Sequence, residues 1–294
     1  MIFEMSEAWI IRDFDWLLSV ISQKRSDSTR FPRSAARQPV AQDDYLGLKP
    51  QTAGGKKQST VSELLYQDLG LTDYLTALAL QEQFVAGKQQ NSSPDILLFV
   101  EHPHVYTLGR GGNQANVLTP EDVPVIRTSR GGDVTYHGPG QLVIYPIIDL
   151  RSKLRKDVHR YVRNLELAAI QTLQDFGLSS ARRPPFTGIW IGDKKIAAIG
   201  VAVRRCITLH GLALNVTTDL AYFRRIVPCG LAWADVTSMG RELGAAQSLT
   251  AVRDRFLHNF ANVFGYSSVE QVEDRGSRIE NGYGLSSILH PQVD

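Results

Sequence analysis

The sequence predicts an α+β (α/β) fold in which helices flank a mixed β-sheet. Strand-like runs come in groups, a long amphipathic helix separates two of these groups, and another helix follows the last one. This order of segments does not favour the regular strand–helix alternation that is typical of a parallel sheet. With 294 residues, of which 43% are apolar, the chain is long enough to bury a substantial core.

Three helices are predicted after residue 60. Asp73 is placed to cap the first, and Gly87 should end it. Its apolar positions are Leu75, Leu78 and Phe84. The second covers residues 158–176, where apolar side chains recur at helical spacing, and the third covers about residues 252–263.

Six strands are predicted from short runs that are rich in apolar and β-branched residues. They cover residues 96–100, 102–108, 142–148, 187–191, 196–203 and 207–216. A turn at Pro103 is expected at the start of the second run. Gly192, Asp193 and Lys194 favour a hairpin turn between the fourth and fifth runs.

Composition divides the chain into three parts. Residues 1–60 are predicted to be an N-terminal extension that is largely disordered, because residues 24–57 are polar and basic without a sustained apolar period. A short amphipathic helix is predicted within it, at residues 8–22. Residues 61–266 should form the folded domain, and residues 267–294 a polar C-terminal tail.

Charge and cysteine content exclude several classes of protein. The formal net charge of +2 is too small for a nucleic-acid-binding surface. Two cysteines are too few for a disulfide framework, so a reducing compartment is expected. No apolar run reaches the roughly 18 residues of a membrane span, and acidic residues near the N-terminus argue against a secretory signal. We therefore expect a cytoplasmic protein without a membrane or nucleic-acid partner.

The sequence gives no support for a metal or cofactor site. His102 and His104 alternate on a predicted strand, but a third ligand is not apparent, and the two cysteines lack CxxC spacing. The glycine-rich stretches lack the endings of a P-loop and the context of a dinucleotide site, and a GxSxG elbow is missing.

Residues 130–141 are the first candidate for a functional loop. Four glycines and a proline interrupt two apolar runs there, and polar side chains lie between them. Glycines allow the backbone to approach a ligand and leave N–H groups unhindered. We favour a binding loop over a surface loop that only turns the chain.

Cys229 is the candidate nucleophile. Pro228 fixes the backbone before it and Gly230 frees the backbone after it, a context that holds a side chain at a bend and leaves N–H groups for an oxyanion. A buried loop cysteine without a catalytic role is an equal alternative. Cys206, at the edge of a strand-like run, is predicted to be a small apolar filler.

A thiol needs a nearby base or cation to become a nucleophile. His137 and His210 are candidates because histidine is the usual helper. Lys195, which opens the apolar run 195–200, is another, because a buried lysine can accept a proton. A solvent-facing hairpin lysine is the commoner situation, so the residues alone leave this choice open.

Four blocks in this order resemble the octanoyltransferase family of protein lipoylation. They are residues 130–141 (RGGDVTYHGPGQ), 195–200 (KIAAIG), 210–216 (HGLALNV) and 228–230 (PCG). The resemblance covers about residues 65–266 and extends to residues 235–239 and 242–244. It implies the fold of biotin and lipoate protein ligases, with residues 61–266 as the catalytic domain.

The resemblance also implies an acyltransferase activity and its site. Cys229 corresponds to the nucleophile that carries the acyl thioester, and Lys195 to the residue that activates it as a cation or general base. The implied substrate-binding residues are Arg130, Gly131, Gly132, Asp133, Val134, Thr135, Tyr136, His137, Ala198, Ile199, Gly200, Gly211, Leu212 and Ala213. Neither a metal nor a cofactor is implied.

The partners that the resemblance implies are all proteins. The donor is octanoyl-acyl carrier protein, and the acceptors are lipoyl domains of 2-oxoacid dehydrogenases and the glycine cleavage H protein. We expect the chain to act as a monomer. Two alternatives remain: an ATP-dependent lipoate or biotin protein ligase on the same fold, and a non-catalytic module that binds an acyl chain or a lipoyl domain.

Overall fold

A computed structural model of the protein describes residues 62–90, 93–231 and 233–272. The strands within these residues are β1 (Glu63–Leu71), β2 (Asp95–Glu101), β3 (Val105–Leu108), β4 (Val125–Arg127), β5 (Val134–His137), β6 (Gln141–Ile147), β7 (Ala181–Arg183), β8 (Phe186–Ile191), β9 (Lys194–Arg204), β10 (Ile207–Asn215), β11 (Asp235–Val236) and β12 (Ser268–Gln271). The α-helices are α1 (Tyr74–Gln90), α2 (Leu150–Lys153), α3 (Val158–Asp175), α4 (Met239–Leu243) and α5 (Leu249–Phe264). Short 3-10 helices occur at Gln114–Asn116, Leu220–Arg225 and Pro228–Gly230.

A mixed sheet is the centre of the fold. Its strands lie in the order β12-β1-β2-β6-β10-β9-β8-β7, and β11 pairs with β9. β1 is parallel to β2 and β12, whereas the pairs from β2 to β7 are antiparallel. Strands β4, β3 and β5 form a second, smaller sheet. The predicted α+β class with a mixed sheet is confirmed.

Helices cover both faces of the large sheet, and this explains why β2 is buried along most of its length. Successive side chains of a strand point to opposite faces. Leu97 and Phe99 therefore pack in the cluster that contains helices α3 and α5, whereas Ile96 and Leu98 pack in the cluster that contains α1. A strand covered on both sides has a continuous apolar run rather than an alternating one.

The start of α1 matches the prediction, but its end does not. Asp73 Oδ1 accepts hydrogen bonds from the backbone N–H groups of residues 75 and 76, as a capping residue does. The helix then continues through Gly87 to residue 90. Lys88, in its last turn, is buried and donates 2.8 Å to Asp95 of β2. This ion pair ties the last turn to the sheet, so Gly87 does not end the helix.

The buried face of α1 also differs from the predicted one. Leu75 is 55% exposed, and Ala77 and Val85 face the sheet instead. Gln81 is fully buried because its side-chain oxygen accepts a 2.8 Å hydrogen bond from the backbone N–H of His210. A polar residue thus occupies the inner face, which a search for apolar spacing misreads.

The strand predicted at residues 102–108 begins three residues late, at Val105. His102 is buried, and its ring nitrogens lie 2.7 Å from the carbonyl oxygen of Thr72 and 2.8 Å from the hydroxyl of Tyr145. These contacts hold His102 outside the small sheet. The other five predicted strands and the helices at 158–176 and 252–263 are confirmed with shifts of a few residues at their ends, and the β8–β9 hairpin is confirmed.

Six of the described strands were not predicted: β1, β4, β5, β7, β11 and β12. β1 buries Leu64 completely and pairs in parallel with β12, in a register that places Glu63 opposite Ser268. β12 lies inside the segment predicted to be a loose tail, so that prediction is wrong for Ser268–Gln271. Most of its side chains are exposed, and its place depends on backbone pairing. The predicted extension 1–60, with its helix at 8–22, and residues 273–294 lie outside the described residues.

None of the described helices is both long enough and apolar enough to span a bilayer.

Candidate active site

Cys229 lies at the tip of a tight turn. Its backbone has φ 56° and ψ 20°, a left-handed conformation that is uncommon for a residue with a side chain. Pro228 precedes it, and the N–H groups of Gly230 and Leu231 donate 3.0 Å hydrogen bonds to the carbonyls of Val227 and Pro228. The predicted bend is confirmed. These two N–H groups are used inside the turn, so the expectation that they are open to an oxyanion is wrong.

Asp133 holds this turn in place. Its carboxylate accepts a 3.0 Å hydrogen bond from the backbone N–H of Asn113 and another from the side-chain amide of Asn116. The carbonyl of Asn116 accepts a 2.7 Å hydrogen bond from the N–H of Val227. A Cβ atom at Gly230 would lie 2.9 Å from the Asp133 carboxylate, so only glycine allows this approach. Asp133 therefore positions the loop that carries the thiol.

Lys195 is the polar side chain that the fold brings to this thiol. Its Nζ lies 3.1 Å from Cys229 Sγ, in hydrogen-bond contact, and the residue is only 7% exposed. Lys194, one position earlier in β9, points outward and pairs with Glu242. Alternation along the strand thus sends one lysine to the thiol and the other to the surface. Lys195 therefore points inward to the thiol and is not a solvent-facing hairpin lysine.

The space for the Lys195 side chain depends on Gly188. A Cβ atom there would stand 2.6 Å from Lys195 Cε and 2.6 Å from the carbonyl oxygen of Ala197. The Trp190 ring forms another wall, 5.3 Å from Nζ. In the described part of the chain, no carboxylate lies within salt-bridge distance of Lys195. The amine therefore interacts with the sulfur without a competing acid.

A cavity of about 480 Å³, open in part to solvent, lies beside Cys229. A second space of about 270 Å³ shares Thr135, Ala198, Ala213 and Cys229 with the first and reaches Lys195. Eleven of the predicted binding residues line the larger one. They are Arg130, Gly132, Asp133, Thr135, His137, Ala198, Ile199, Gly200, Gly211, Leu212 and Ala213. Small residues of β9 and β10 form part of this lining and leave its volume unfilled.

The three remaining predicted binding residues do not line the cavity. Gly131 donates a 2.9 Å hydrogen bond to the carbonyl of Val201, which ties the glycine-rich loop to β9. Val134 and Tyr136 are fully buried in the core of the small sheet. Alternation along β5 sends Thr135 to the cavity and its two neighbours to the opposite side. Conversely, Tyr74, Val143 and Tyr145 line the cavity and were not predicted.

Arg130 places a fixed positive charge at the cavity wall. Its Nε and Nη2 donate to the Thr107 hydroxyl at 3.1 and 2.9 Å, Nη2 donates to the Thr107 carbonyl at 2.6 Å, and Nη1 donates to the Gly131 carbonyl at 3.0 Å. Burial lowers the pKa of Arg130 below its usual value, but a guanidinium keeps its charge. These neutral acceptors fix the side chain in one orientation.

The buried histidines are neutral. Burial lowers the pKa of His210 to about 3 and that of His102 to about 4, and it holds the pKa of His137 well below its usual value. His137 Nδ1 bonds to Gln141 at 2.8 Å, and His210 Nε2 bonds to the Ser129 hydroxyl at 3.0 Å. Neither ring bonds to the thiol, so both are wrong as candidate helpers of Cys229.

The other cysteine and the candidate metal ligands lie in different surroundings. Cys206 occupies the turn between β9 and β10 with φ 68° and is partly exposed, so its prediction as an apolar filler is wrong. His104 Nδ1 bonds to the Tyr136 hydroxyl at 2.6 Å. Within the described ranges, no three His, Cys, Asp or Glu side chains are grouped so that they could hold a metal ion.

This domain is similar in sequence to known proteins of one catalytic class. Residues 73–261 match the lipoyl protein ligase A/B catalytic domain. The chain belongs to the octanoyltransferase family. It is 52% identical to the octanoyltransferase of Solibacter usitatus over 206 residues, which cover 68% of this chain and 92% of that protein. It is 50% identical to that of Geobacter metallireducens, over 65% of this chain and 88% of the relative.

Solved structures share the fold at low sequence identity. A lipoate-protein ligase A bound with ATP superposes with a TM-score of 0.56 at 18% identity, over 72% of this chain and 87% of that chain. A bipartite lipoate protein ligase from Thermoplasma acidophilum gives a TM-score of 0.56 at 17% identity, over 72% and 88%. The predicted ligase-like fold is confirmed.

Proposed function

We propose that this chain transfers an octanoyl group from octanoyl-acyl carrier protein to a lysine of a lipoyl domain, through a thioester on Cys229. Octanoyl transfer in protein lipoylation is the activity of the family to which the chain belongs. The observation that best supports the route is the 3.1 Å contact between Lys195 Nζ and Cys229 Sγ beside a cavity lined by small residues. The acceptors are lipoyl domains of 2-oxoacid dehydrogenases and the glycine cleavage H protein.

In the first half of the reaction, Lys195 takes the proton of Cys229. The thiolate then attacks the carbonyl carbon of the donor thioester, and a tetrahedral intermediate forms. The bond from this carbon to the sulfur of the carrier breaks, and the leaving thiolate receives the proton from Lys195. One thioester replaces another, so this half is near balance. The ammonium of Lys195 also lies close enough to favour the charge of the intermediate.

In the second half, the neutral amine of the acceptor lysine attacks octanoyl-Cys229. An amide bond forms and the Cys229 thiolate leaves, while Lys195 relays the proton from the amine to the sulfur. Conversion of a thioester into an amide is downhill and drives the cycle. Because the donor carries an activated acyl group, the chemistry needs neither ATP nor a cofactor.

The cavity is proposed to hold the alkyl chain. Ala198, Gly200, Gly211 and Ala213 are small residues on two neighbouring strands and leave the space open. The neutral state of the buried histidines limits the charge at the wall. Each buried methylene contributes about 0.8 kcal/mol, so the depth of the cavity selects chain length. Arg130 and Thr135 bound the same space from the glycine-rich loop.

We place the reaction in the cytoplasm, where a reducing environment keeps Cys229 a free thiol. The protein acts as a monomer, and residues 61–266 carry the whole activity. Every side chain assigned a role in the two half-reactions lies within this range.

The rival function is an ATP-dependent ligase on the same fold. A ligase makes an acyl-adenylate and has no need of a thiol, whereas here a buried amine contacts the thiol directly. The test is transfer from octanoyl-acyl carrier protein to a lipoyl domain with ATP removed. We expect full transfer by the natural chain and by Cys206→Ala, and none by Cys229→Ala. Dependence on ATP, or activity of Cys229→Ala, would refute the proposal.

A further inference from the structure

An exposed tryptophan lies beside the thiol–amine pair. Trp233, four residues after Cys229, is 49% exposed. Its ring stacks on Trp190 with a centroid distance of 5.7 Å and an interplanar angle of 11°, and Phe186 lies 5.2 Å from it. The Trp190 ring is in turn 5.3 Å from Lys195 Nζ. Trp233 is therefore the exposed ring of a stacked pair whose inner ring, Trp190, lies beside Lys195.

An arginine completes this surface. The guanidinium of Arg183 lies 4.5 Å from the Trp233 ring centroid, in cation–π contact, and Nη1 pairs with Asp193 at 2.5 Å. The Asp193 side chain is 83% exposed, and an ion pair in this setting is weak. An incoming carboxylate can therefore replace Asp193 on Arg183. We call Trp233, Phe186 and Arg183 the Trp233 platform.

The composition of the platform is that of a binding surface. The other large apolar side chains exposed in the described part of the chain are aliphatic. They are Leu71, Leu75, Leu118, Leu167 and Val269. Tryptophan and arginine are the residues that most often dominate binding energy at protein interfaces. Because stacking already holds Trp233 and Arg183, little side-chain freedom is lost when a partner binds.

The length of a lysine side chain identifies which partner must touch this surface. The amine of a lysine lies roughly 6 Å from its own Cα, five bonds away. To attack an acyl group on Cys229, the acceptor must bring its backbone within about that distance of the thioester carbon. The residues that flank the target lysine then meet the rim of the site. The donor thioester is carried on a long prosthetic arm, which relieves the carrier protein of this constraint.

We propose that the Trp233 platform binds the acceptor polypeptide next to its target lysine. An apolar part of the acceptor packs on Trp233, and an acidic side chain beside the lysine pairs with Arg183. This inference rests on the proposed function, because it assigns a surface to the second half of the same reaction.

The test separates the two half-reactions in Trp233→Ala. The first half is measured as the rate of octanoyl-enzyme formation from octanoyl-acyl carrier protein, by quenching and intact mass. The second is measured as transfer to a lipoyl domain and, in parallel, to hydroxylamine, a small amine without a protein surface. We expect the KM for the lipoyl domain to rise about tenfold or more, with acyl-enzyme formation and discharge to hydroxylamine unchanged.

Four further variants complete the test. Leu167→Ala, which removes an equally apolar exposed side chain from α3, should leave the KM for the lipoyl domain unchanged. Trp233→Phe should retain most of the affinity because it keeps a ring for stacking. Arg183→Ala should raise the same KM and weaken its salt dependence, whereas Arg183→Lys should be intermediate.

Failure of the acceptor site gives a different result from failure of the proposed function. An unchanged KM in Trp233→Ala, or an equal loss in both half-reactions, would overturn the platform as an acceptor site. If the natural chain forms no octanoyl-enzyme at all, the proposed function itself fails, whatever the effect of Trp233.

Discussion

The contact between Lys195 and Cys229 leads to a quantitative prediction for Lys195→Met. Methionine keeps most of the length and volume of the lysine side chain but removes its charge and its basic amine. At 3.1 Å, unit charges of opposite sign attract by about 5 kcal/mol at an effective dielectric constant of about 20. The sulfur is only partly buried, so solvent screening roughly halves this value.

We therefore expect Lys195→Met to lose about 2–3 kcal/mol of transition-state stabilisation, a decrease of roughly 30- to 150-fold in the rate of acyl-enzyme formation. The assay is single-turnover formation of octanoyl-enzyme, quenched with acid and read as intact mass. Lys194→Met is the matched control, because its amine pairs with Glu242 at the surface. A Lys195→Met protein that acylates at the rate of the natural chain would refute the role of the amine.

Two other consequences of the geometry can be measured. Gly188→Ala should reduce acyl-enzyme formation at least tenfold, because its Cβ would collide with the side chain of Lys195. Gly192→Ala, at a positive φ with open space around it, should change stability by about 1 kcal/mol and leave the rate intact. A similar loss of rate in both would contradict the steric argument. The second consequence concerns acid. Since burial lowers the pKa of His102 to about 4 and that of His210 to about 3, the unfolded state binds more protons than the folded state below pH 6.5, and stability falls as pH falls. Between pH 7 and pH 5 each should cost about 2 kcal/mol, measured by urea unfolding. Equal stability at both pH values would refute the neutral, buried state.

The candidate nucleophile was visible in the sequence because its signal is local. Pro228 and Gly230 bracket Cys229 and constrain the backbone at that point, and the structure has the bend. The inward orientation of Lys195 was not visible in the same way. It depends on which face of β9 meets the turn that carries the thiol, and only the register with β11 and β10 fixes that face.

Several features depend on tertiary contacts that leave no periodic pattern. β12 pairs through its backbone while its side chains remain mostly exposed. His210 has φ 56° within β10, where its backbone N–H bonds to Gln81 across the helix–sheet interface. The exposure of Trp233 follows from its stack on Trp190 and the position of β8 beside the edge strand β7. None of these contacts can be counted along a single segment of sequence.

If one thiol carries the acyl group, the mass of the protein itself must show it. The natural chain is incubated with octanoyl-acyl carrier protein without an acceptor, quenched with acid, and analysed intact and after proteolysis. We expect the added mass of a single octanoyl group on the peptide that contains Cys229, and its disappearance when a lipoyl domain is supplied. An unmodified protein that still acylates the lipoyl domain, or an adduct on Cys206 instead, would contradict it.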